Sequence, residues 1–248
     1  MSPPDRSHVE FLGPPGAGKS TVHGRLTSEP RYYGGIYEDA LERLILDTYD
    51  GPAGLTYRLL PSRLRSYAET LVLQHPARER LFSEFLLEQS AFPDAMVGAR
   101  QAASRDPDKA ASLLRDAADR YQLGVETVRP DERFCMDEGF MMGAVSILWR
   151  GGDRLSLEAY FECVPTPETL VHVTAPRAVC LRRQRDREKS LRERHGVART
   201  DDAQRRHEEA CSRVVATAEA TDSITVVRVS NEGTLEDVVA AVDRALAN

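Results

Sequence analysis

The stretch Val9-Glu-Phe-Leu-Gly-Pro-Pro-Gly-Ala-Gly-Lys-Ser-Thr21 decides how the rest of the chain is interpreted. Its first four residues are short and β-prone, and glycines and prolines follow at once, which predicts a buried strand that ends in a tight turn. A helix is predicted from Lys19 to about Leu26, because Ser28 and Pro30 stop it soon afterwards. The chain therefore opens with a strand, a glycine-rich turn and a helix.

The turn matches the pattern Gly-x-x-x-x-Gly-Lys-Ser of a phosphate-binding loop. Glycines let backbone N–H groups converge on phosphate oxygens, and the start of the helix presents its positive end to the same anion. Lys19 supplies a cation for the β- and γ-phosphates, and the Ser20 hydroxyl suits a Mg²⁺ ligand. ATP and Mg²⁺ are therefore the predicted cofactors. The predicted nucleotide contacts in the loop are Gly13, Pro14, Pro15, Gly16, Ala17, Gly18, Lys19, Ser20 and Thr21.

Strands and helices alternate along the remaining sequence. Further strands are predicted at residues 33–37, 133–137, 170–174 and 224–229, and the region from Asp39 to about Arg129 has helical periodicity. Within that region Asp106 and Pro107 predict the start of a helix and Gly124 predicts its end, and Thr234 is predicted to cap the last helix of the chain. Alternating elements predict right-handed crossovers and a parallel sheet that is covered on both faces. We therefore expect a single α/β domain over residues 1–248, with a helical insertion at about 40–130 between strands 2 and 3.

Several segments resemble P-loop kinases of the nucleoside and nucleotide kinase group. The loop Gly13 to Thr21 resembles those of adenylate and shikimate kinases, and Tyr160 to Arg187 is similar to a strand, a helix and an Arg-bearing lid in thymidylate and deoxynucleoside kinases. Val229 to Glu236 resembles their last strand and adenine-side loop. The resemblance implies a three-layer P-loop kinase fold with a five-stranded parallel sheet. It also implies that Asn231 and Gly233 contact the nucleotide.

The pair Asp137-Glu138 follows the predicted third strand. Because the carboxyl ends of parallel strands face the ligand crevice, Asp137 is predicted to join the Mg²⁺ shell, with helix capping as the alternative. Thymidylate and deoxynucleoside kinases carry an Arg after the corresponding acidic residue, and this chain has Glu138 there. An Asp-Glu pair also occurs in P-loop ATPases, where the Glu activates water. Glu138 is otherwise a solvated residue of the first helical turn.

Glu38 and Asp39 follow the predicted second strand. Deoxynucleoside kinases place a carboxylate there, and the resemblance implies that Glu38 or Asp39 accepts the proton of an acceptor hydroxyl. The alternative is that both residues cap and charge the next helix. Which of Glu38, Asp39 and Glu138 acts as the base is left open.

Basic residues concentrate between residues 177 and 194, where eight Lys or Arg oppose three acidic residues. This local charge of +5 leaves −11 for the rest of a chain whose net charge is −6. The resemblance implies a lid over residues 177–200, in which Arg183, Arg185 and Arg187 contact the transferring phosphate. The alternative is a solvated surface helix.

Other side chains are candidates for binding an acceptor. Arginines could hold an anionic acceptor such as a monophosphate, and aromatic rings could stack on a base; ordinary packing or surface placement is the alternative for each. The arginines are Arg129, Arg133 and Arg150, and the aromatic residues are Tyr37, Phe140 and Tyr160.

Composition excludes several other classes of protein. The sequence contains no run of 18 apolar residues, so no membrane-spanning helix is predicted. The polar residues Met1 to His8 do not resemble a secretory signal. The four cysteines and six histidines show no metal-ligand spacing, so reduced thiols and a cytoplasmic location are expected. A net charge of −6 disfavours an extended nucleic-acid partner.

The features together predict an ATP-dependent phosphotransferase. Its acceptor is a small molecule with a hydroxyl or phosphate, foremost a nucleoside or nucleotide, and a homodimer is possible. A P-loop ATPase or nucleotide-dependent switch is the alternative, together with a kinase that acts on another small metabolite or on a nucleic-acid end. The sequence leaves open the acceptor, the donor preference and the oligomeric state.

Overall fold

Within the described residues, five parallel strands form one sheet: β1 Val9–Leu12, β2 Tyr32–Tyr33, β3 Arg133–Met136, β4 Thr169–Thr174 and β5 Thr225–Ser230. Their order across the sheet is β2-β3-β1-β4-β5. The computed structural model describes residues 7–35, 39–40, 42–43, 59–61, 74–151, 154–186 and 200–247. The predictions for Tyr37, Glu38, Arg187 and much of the 40–130 insertion lie outside these residues.

Helices connect the strands, as the alternation of patterns predicts. In the part of the chain that the structure describes, three helices between residues 74 and 127 separate β2 from β3 and belong to the predicted insertion. The helices in the described residues are α1 Lys19–Leu26, α2 Gln74–Glu88, α3 Phe92–Ala102, α4 Pro107–Thr127, α5 Phe140–Trp149, α6 Leu157–Cys163, α7 Arg177–Arg185, α8 Thr200–Glu219 and α9 Leu235–Leu246.

Two cores sandwich the sheet and make the three-layer α/β architecture that the sequence predicts. Val9 and Phe11 of β1 face a core with α1 and α9, whereas Leu12 faces a larger core built with α4, α5 and α8. Because the strands are parallel, Leu12, Met136 and Thr174 end at the same edge of the sheet. This edge carries the phosphate-loop sequence.

Two sequence predictions about element ends are wrong. Strand β2 stops at Tyr33, because Gly35 takes a left-handed φ of 56° and packs against the Phe134 ring. Gly124 does not end α4, which continues to Thr127. A Cβ at Gly124 would lie 2.0 Å from Cζ of Phe134, so this glycine permits the close approach of α4 to β3.

Two predicted helix starts are confirmed. The Asp106 side chain accepts a hydrogen bond from the Lys109 amide at the start of α4, and Thr234 caps α9 by accepting from the Asp237 amide. All four cysteines are free thiols. None of the helices in the described residues is long and apolar enough to cross a membrane.

Burial of His172 on β4 predicts a loss of stability in acid. Burial, with a smaller effect from Arg228, lowers its pKa from 6.5 to about 4. Because the unfolded chain binds this proton more readily, stability is complete above pH 6.5 and falls as the pH drops towards 4. The predicted loss is roughly 3 kcal/mol. Urea unfolding of wild type and His172→Leu between pH 7 and 4 tests this, and equal pH slopes in the two proteins would contradict it.

Candidate active site

The phosphate loop lies at the carboxyl edge of β1 and leads directly into α1. Gly16 and Gly18 have left-handed φ values of 84° and 95°, which side chains other than glycine rarely adopt. Within the described residues, the amides of Gly16, Gly18, Lys19 and Ser20 donate to no protein acceptor. The loop therefore presents a group of free N–H donors at a helix N-terminus, which is an anion-binding arrangement.

The loop after β5 packs directly against the phosphate loop. The buried Asn231 side chain donates from Nδ2 to the Ala17 carbonyl at 2.7 Å, and a Cβ on Gly18 would lie 2.1 Å from that nitrogen. The structure thus brings Asn231 to the loop. Gly233 is exposed, and a Cβ at this position would lie 3.7 Å from an Asp237 carboxylate oxygen.

Lys19 joins the phosphate loop to the end of β3. Its Nζ donates to the Asp137 carbonyl at 2.6 Å and to Asp137 Oδ1 at 2.5 Å. The Ser20 hydroxyl lies near enough to the same carboxylate to lower its pKa. Lys19 is only 8% exposed, so the ammonium is held against this carboxylate away from bulk water. The three predicted residues Lys19, Ser20 and Asp137 therefore form one cluster, and Thr21 lies exposed beside it.

The charge of Asp137 depends on Lys19. Burial by itself raises the pKa of the Asp137 carboxyl, but the Lys19 ammonium and the Ser20 hydroxyl outweigh burial, so the pKa lies below its usual 3.8. We expect Lys19→Met to raise the Asp137 pKa above 3.8, because burial is then largely unopposed. Carbon-13 NMR titration of the carboxyl measures this. An unchanged pKa would mean that Lys19 does not set the charge.

The side chain that caps the first turn of α5 is Glu10 and not Asp137. The carboxylate of this fully buried β1 residue accepts from the amides of Phe140 at 3.0 Å and Met141 at 2.8 Å, and His8 Nε2 lies 3.2 Å away. The N-cap residue of α5 is Gly139, which makes no side-chain cap. A residue of strand β1 therefore accepts the hydrogen bonds of the first-turn amides of α5, and the alternative prediction that Asp137 caps this helix is wrong.

The last turn of α7 rests on the phosphate loop. Arg183 donates to the carbonyls of Gly16, Ala17 and Asn231 at 3.2–3.4 Å, and Gln184 donates to the Pro15 carbonyl at 2.8 Å. The structure thus places Arg183 at the loop. Arg185 is exposed at the end of α7, and Arg187 lies outside the described residues.

A groove of about 300 Å³ lies between α4 and α5 and reaches the phosphate loop at Pro15. Glu138 lines it at that end, 3.9 Å from Arg120 of α4. Trp149 and His207 also line it, and their rings stack with centroids 4.7 Å apart. The groove is the cavity into which a molecule could fit beside the phosphate loop.

Asp39 lies elsewhere. It lines a small polar pocket with Glu132 and Arg43 at the start of strand β3. Asp137 lies at the opposite end of that strand, directly after its last residue. Arg43 pairs with Glu132 at 2.5 Å, and Asp39 acts electrostatically on Arg43 and Tyr33. No contact in the described part of the chain joins Asp39 to the phosphate loop.

Of the other residues predicted to bind an acceptor, one lines the groove and the rest of those described lie outside it. Arg150 lines the groove, whereas Arg133 pairs with Glu168 at the start of β3, and Arg129 is exposed. Phe140 is fully buried among aromatic rings, and the buried Tyr160 donates to the Phe140 carbonyl at 2.8 Å. Both aromatic residues therefore belong to the core.

The oxygen atoms at this cluster suit a hard cation. Mg²⁺ prefers oxygen ligands and is commonly held by one or two protein oxygens together with phosphate and water. The Asp137 carboxylate and the Ser20 hydroxyl lie together, as such a site requires. In the described residues, no group of three His, Cys, Asp or Glu could hold a metal by itself. Ser20 and Asp137 therefore fit a Mg²⁺ ion that is also bound by a nucleotide, and they do not fit a metal centre built from protein ligands alone.

Comparison with known proteins gives matches among solved structures. No protein-family model and no curated protein sequence matches the chain. A deoxyadenosine kinase from M. mycoides with bound dCTP is 10% identical, with 97% of this chain and 98% of that chain covered and a TM-score of 0.48. The same kinase with bound dATP is 9% identical, with 97% and 100% covered and a TM-score of 0.48. The sheet order and the loop geometry described above carry the fold assignment.

Proposed function

We propose that the protein transfers the γ-phosphate of ATP to a hydroxyl or phosphate of a small acceptor, foremost a nucleoside or nucleotide. The cluster of Lys19, Ser20 and Asp137 carries this proposal. It combines a buried cation, free loop amides and a carboxylate at the sheet edge where parallel strands bind ligands. The groove beside Pro15 supplies the acceptor space.

The proposed step is an in-line displacement at the γ-phosphorus. The acceptor oxygen forms a bond to phosphorus, the bond to the β,γ-bridging oxygen breaks, and ADP leaves with that electron pair. Lys19 and the loop amides stabilise the β- and γ-phosphate oxygens. A bound Mg²⁺ would neutralise phosphate charge, with Ser20 and Asp137 holding it. Arg183, and the lid residues Arg185 and Arg187, add cationic charge from α7 and beyond.

Glu138 is the proposed acceptor of the hydroxyl proton. It lines the groove next to the phosphate loop, whereas Asp39 lies beside the first residues of β3 and Glu38 is outside the described residues. We expect Glu138→Gln to reduce transfer to a hydroxyl by a factor of about 10² to 10⁴. Asp39→Asn is the matched control and is expected to retain wild-type rates. The opposite pattern would assign the base to Asp39.

A coupled assay of ADP release tests the function. The protein is incubated with Mg-ATP and a panel of nucleosides, nucleotides and small hydroxyl metabolites, and mass spectrometry identifies the phosphorylated product. We expect ADP release to require both an acceptor and Mg²⁺, and to stop on addition of EDTA. ADP release at a comparable rate without any acceptor would contradict the kinase proposal and support the ATPase alternative, with Glu138 activating water.

A further inference from the structure

The groove beside the phosphate loop has two chemically different ends. Gly139, Gly143, Ser146 and Arg150 line it at spacings of four, three and four residues, so they share one face of α5 and its ends. Glu138 and Arg120 meet at the start of α5, whereas the Arg105 amide donates to the Arg150 carbonyl at its end. Helices α4 and α5 are therefore antiparallel, and the groove runs from the phosphate loop to the Arg150 end.

A buried cation lies at the far end. Arg150 is 8% exposed, and its Nη1 donates to the Ser146 carbonyl at 3.1 Å. Its guanidinium carbon lies 5.5 Å from the centre of the Trp149 ring. No carboxylate of the described residues lies within ion-pair distance of this guanidinium. Burial lowers the Arg150 pKa, and the more distant Asp106 carboxylate opposes that shift only in part. A buried guanidinium with this little compensation is costly unless a ligand supplies the counter-charge.

The second cation at this end is Lys109. It lies in the first turn of α4, lines the same groove and is exposed. The acidic residues that line the groove are Asp116, midway along α4, and Glu138 at the opposite end. Asp106, the N-cap of α4, also acts electrostatically on Arg150, so two cations and one carboxylate lie at the far end. The far end therefore keeps a net positive charge, and the end at the phosphate loop holds the proposed base.

The separation of the two ends limits the length of a ligand. Arg150 folds back along α5 to reach the Ser146 carbonyl, so its guanidinium lies near the level of Ser146. Seven residues separate Gly139 from Ser146, which is about 10 Å of helix at 1.5 Å per residue.

We infer that the acceptor carries an anionic group, a carboxylate or a phosphate, about 10 Å from the hydroxyl that receives the phosphoryl group, and that Arg150 binds this anion. The inference rests on the proposed function and narrows its acceptor class. Neutral nucleosides fit the groove less well than hydroxyl compounds with a distant anion, because they bring no counter-charge into contact with Arg150.

Matched acceptors that differ only in charge test the inference. Straight-chain ω-hydroxy acids of six to ten carbons are compared with their methyl esters, and ω-hydroxyalkyl phosphates of the same lengths with their dimethyl esters. We expect the anionic member of a pair to have the higher kcat/KM, by a factor on the order of 10 to 100. The carboxylate and phosphate arms show which anion is preferred.

Variants of Arg150 separate this preference from catalysis. Arg150→Gln is expected to remove the preference for the anion by raising KM for the anionic member of each pair, with a smaller change in its kcat. Arg150→Lys keeps the positive charge and serves as the second variant if Arg150→Gln fails to fold. Arg154→Gln, an exposed arginine outside the groove, is the matched control and is expected to keep the preference.

The two proposals fail in different ways. Phosphorylation of neutral acceptors at equal or higher kcat/KM in the wild type would overturn the inference and leave the kinase proposal intact. A preference that survives in Arg150→Gln would assign the anion to another residue and would also overturn it. A panel in which no compound is phosphorylated contradicts both proposals.

Discussion

Lys19→Met is expected to lower acceptor-dependent phosphoryl transfer by a factor on the order of 10³. Lys19 supplies a buried cation next to the free loop amides, and its Nζ contacts the Asp137 carboxylate. Met fills similar volume without charge, so developing charge on the phosphate oxygens loses its main protein counter-charge. The same assay of ADP release measures the effect, with kcat and KM for ATP determined separately.

Two further variants make this result interpretable. Arg25→Met removes a cation from the solvent-exposed side of the same helix, where Arg25 pairs with Glu29, and is expected to retain activity within about twofold. Lys19→Met also leaves the Asp137 carboxylate without its partner, at a cost of about 1–3 kcal/mol in stability. Adding Asp137→Asn should recover most of that stability without restoring transfer. A single Lys19→Met variant with wild-type transfer would remove the proposed role.

Gly18→Ala is expected to reduce affinity for ATP by at least about 100-fold, because the loop cannot keep its conformation. The added Cβ would lie 2.1 Å from Asn231 Nδ2, and the φ of 95° is strained for any residue with a Cβ. The loop amides and the Asn231 bond to Ala17 must shift together. Titration calorimetry with Mg-ATP measures the loss, and thermal unfolding measures the accompanying destabilisation.

Gly24→Ala is the matched control for this change. Gly24 lies in α1, six residues beyond Gly18, and a Cβ there meets nothing within 4 Å. Alanine at this position is expected to stabilise the protein by about 0.5–1 kcal/mol, because it favours the helix, and to leave ATP affinity unchanged. Equal ATP affinity in Gly18→Ala and Gly24→Ala would show that the conformation of Gly18 is not needed for binding.

Local patterns predicted most of the fold. A strand, a glycine turn and a helix are encoded within thirteen residues, and the caps at Asp106 and Thr234 each involve residues three positions apart. The end of α4 was predicted wrongly at Gly124, because the Phe134 ring that occupies the space of its missing side chain comes from strand β3, which is not part of the local helix pattern. A glycine that ends a helix and one that admits a neighbouring ring look alike in sequence.

The candidate site was predictable only in part. Lys19 and Ser20 follow from the loop pattern, and Asp137 from its position after a strand. Glu10 was missed as the cap of α5, although a carboxylate inside an apolar strand was a visible signal. The groove was missed as a whole, because α4, α5 and α8 contribute residues that are far apart in the chain.

The sequence by itself determined the parallel α/β architecture, the anion-binding loop and the position of Asp137, since each depends on neighbours within a few residues or on strand order. Only the tertiary structure decided that Glu10 rather than Asp137 caps α5, that Asp39 lies away from the loop, and that Arg150 is buried in the groove. The physical reason is that burial, counter-charge and distance belong to pairs of groups that packing brings together, and no local pattern records them.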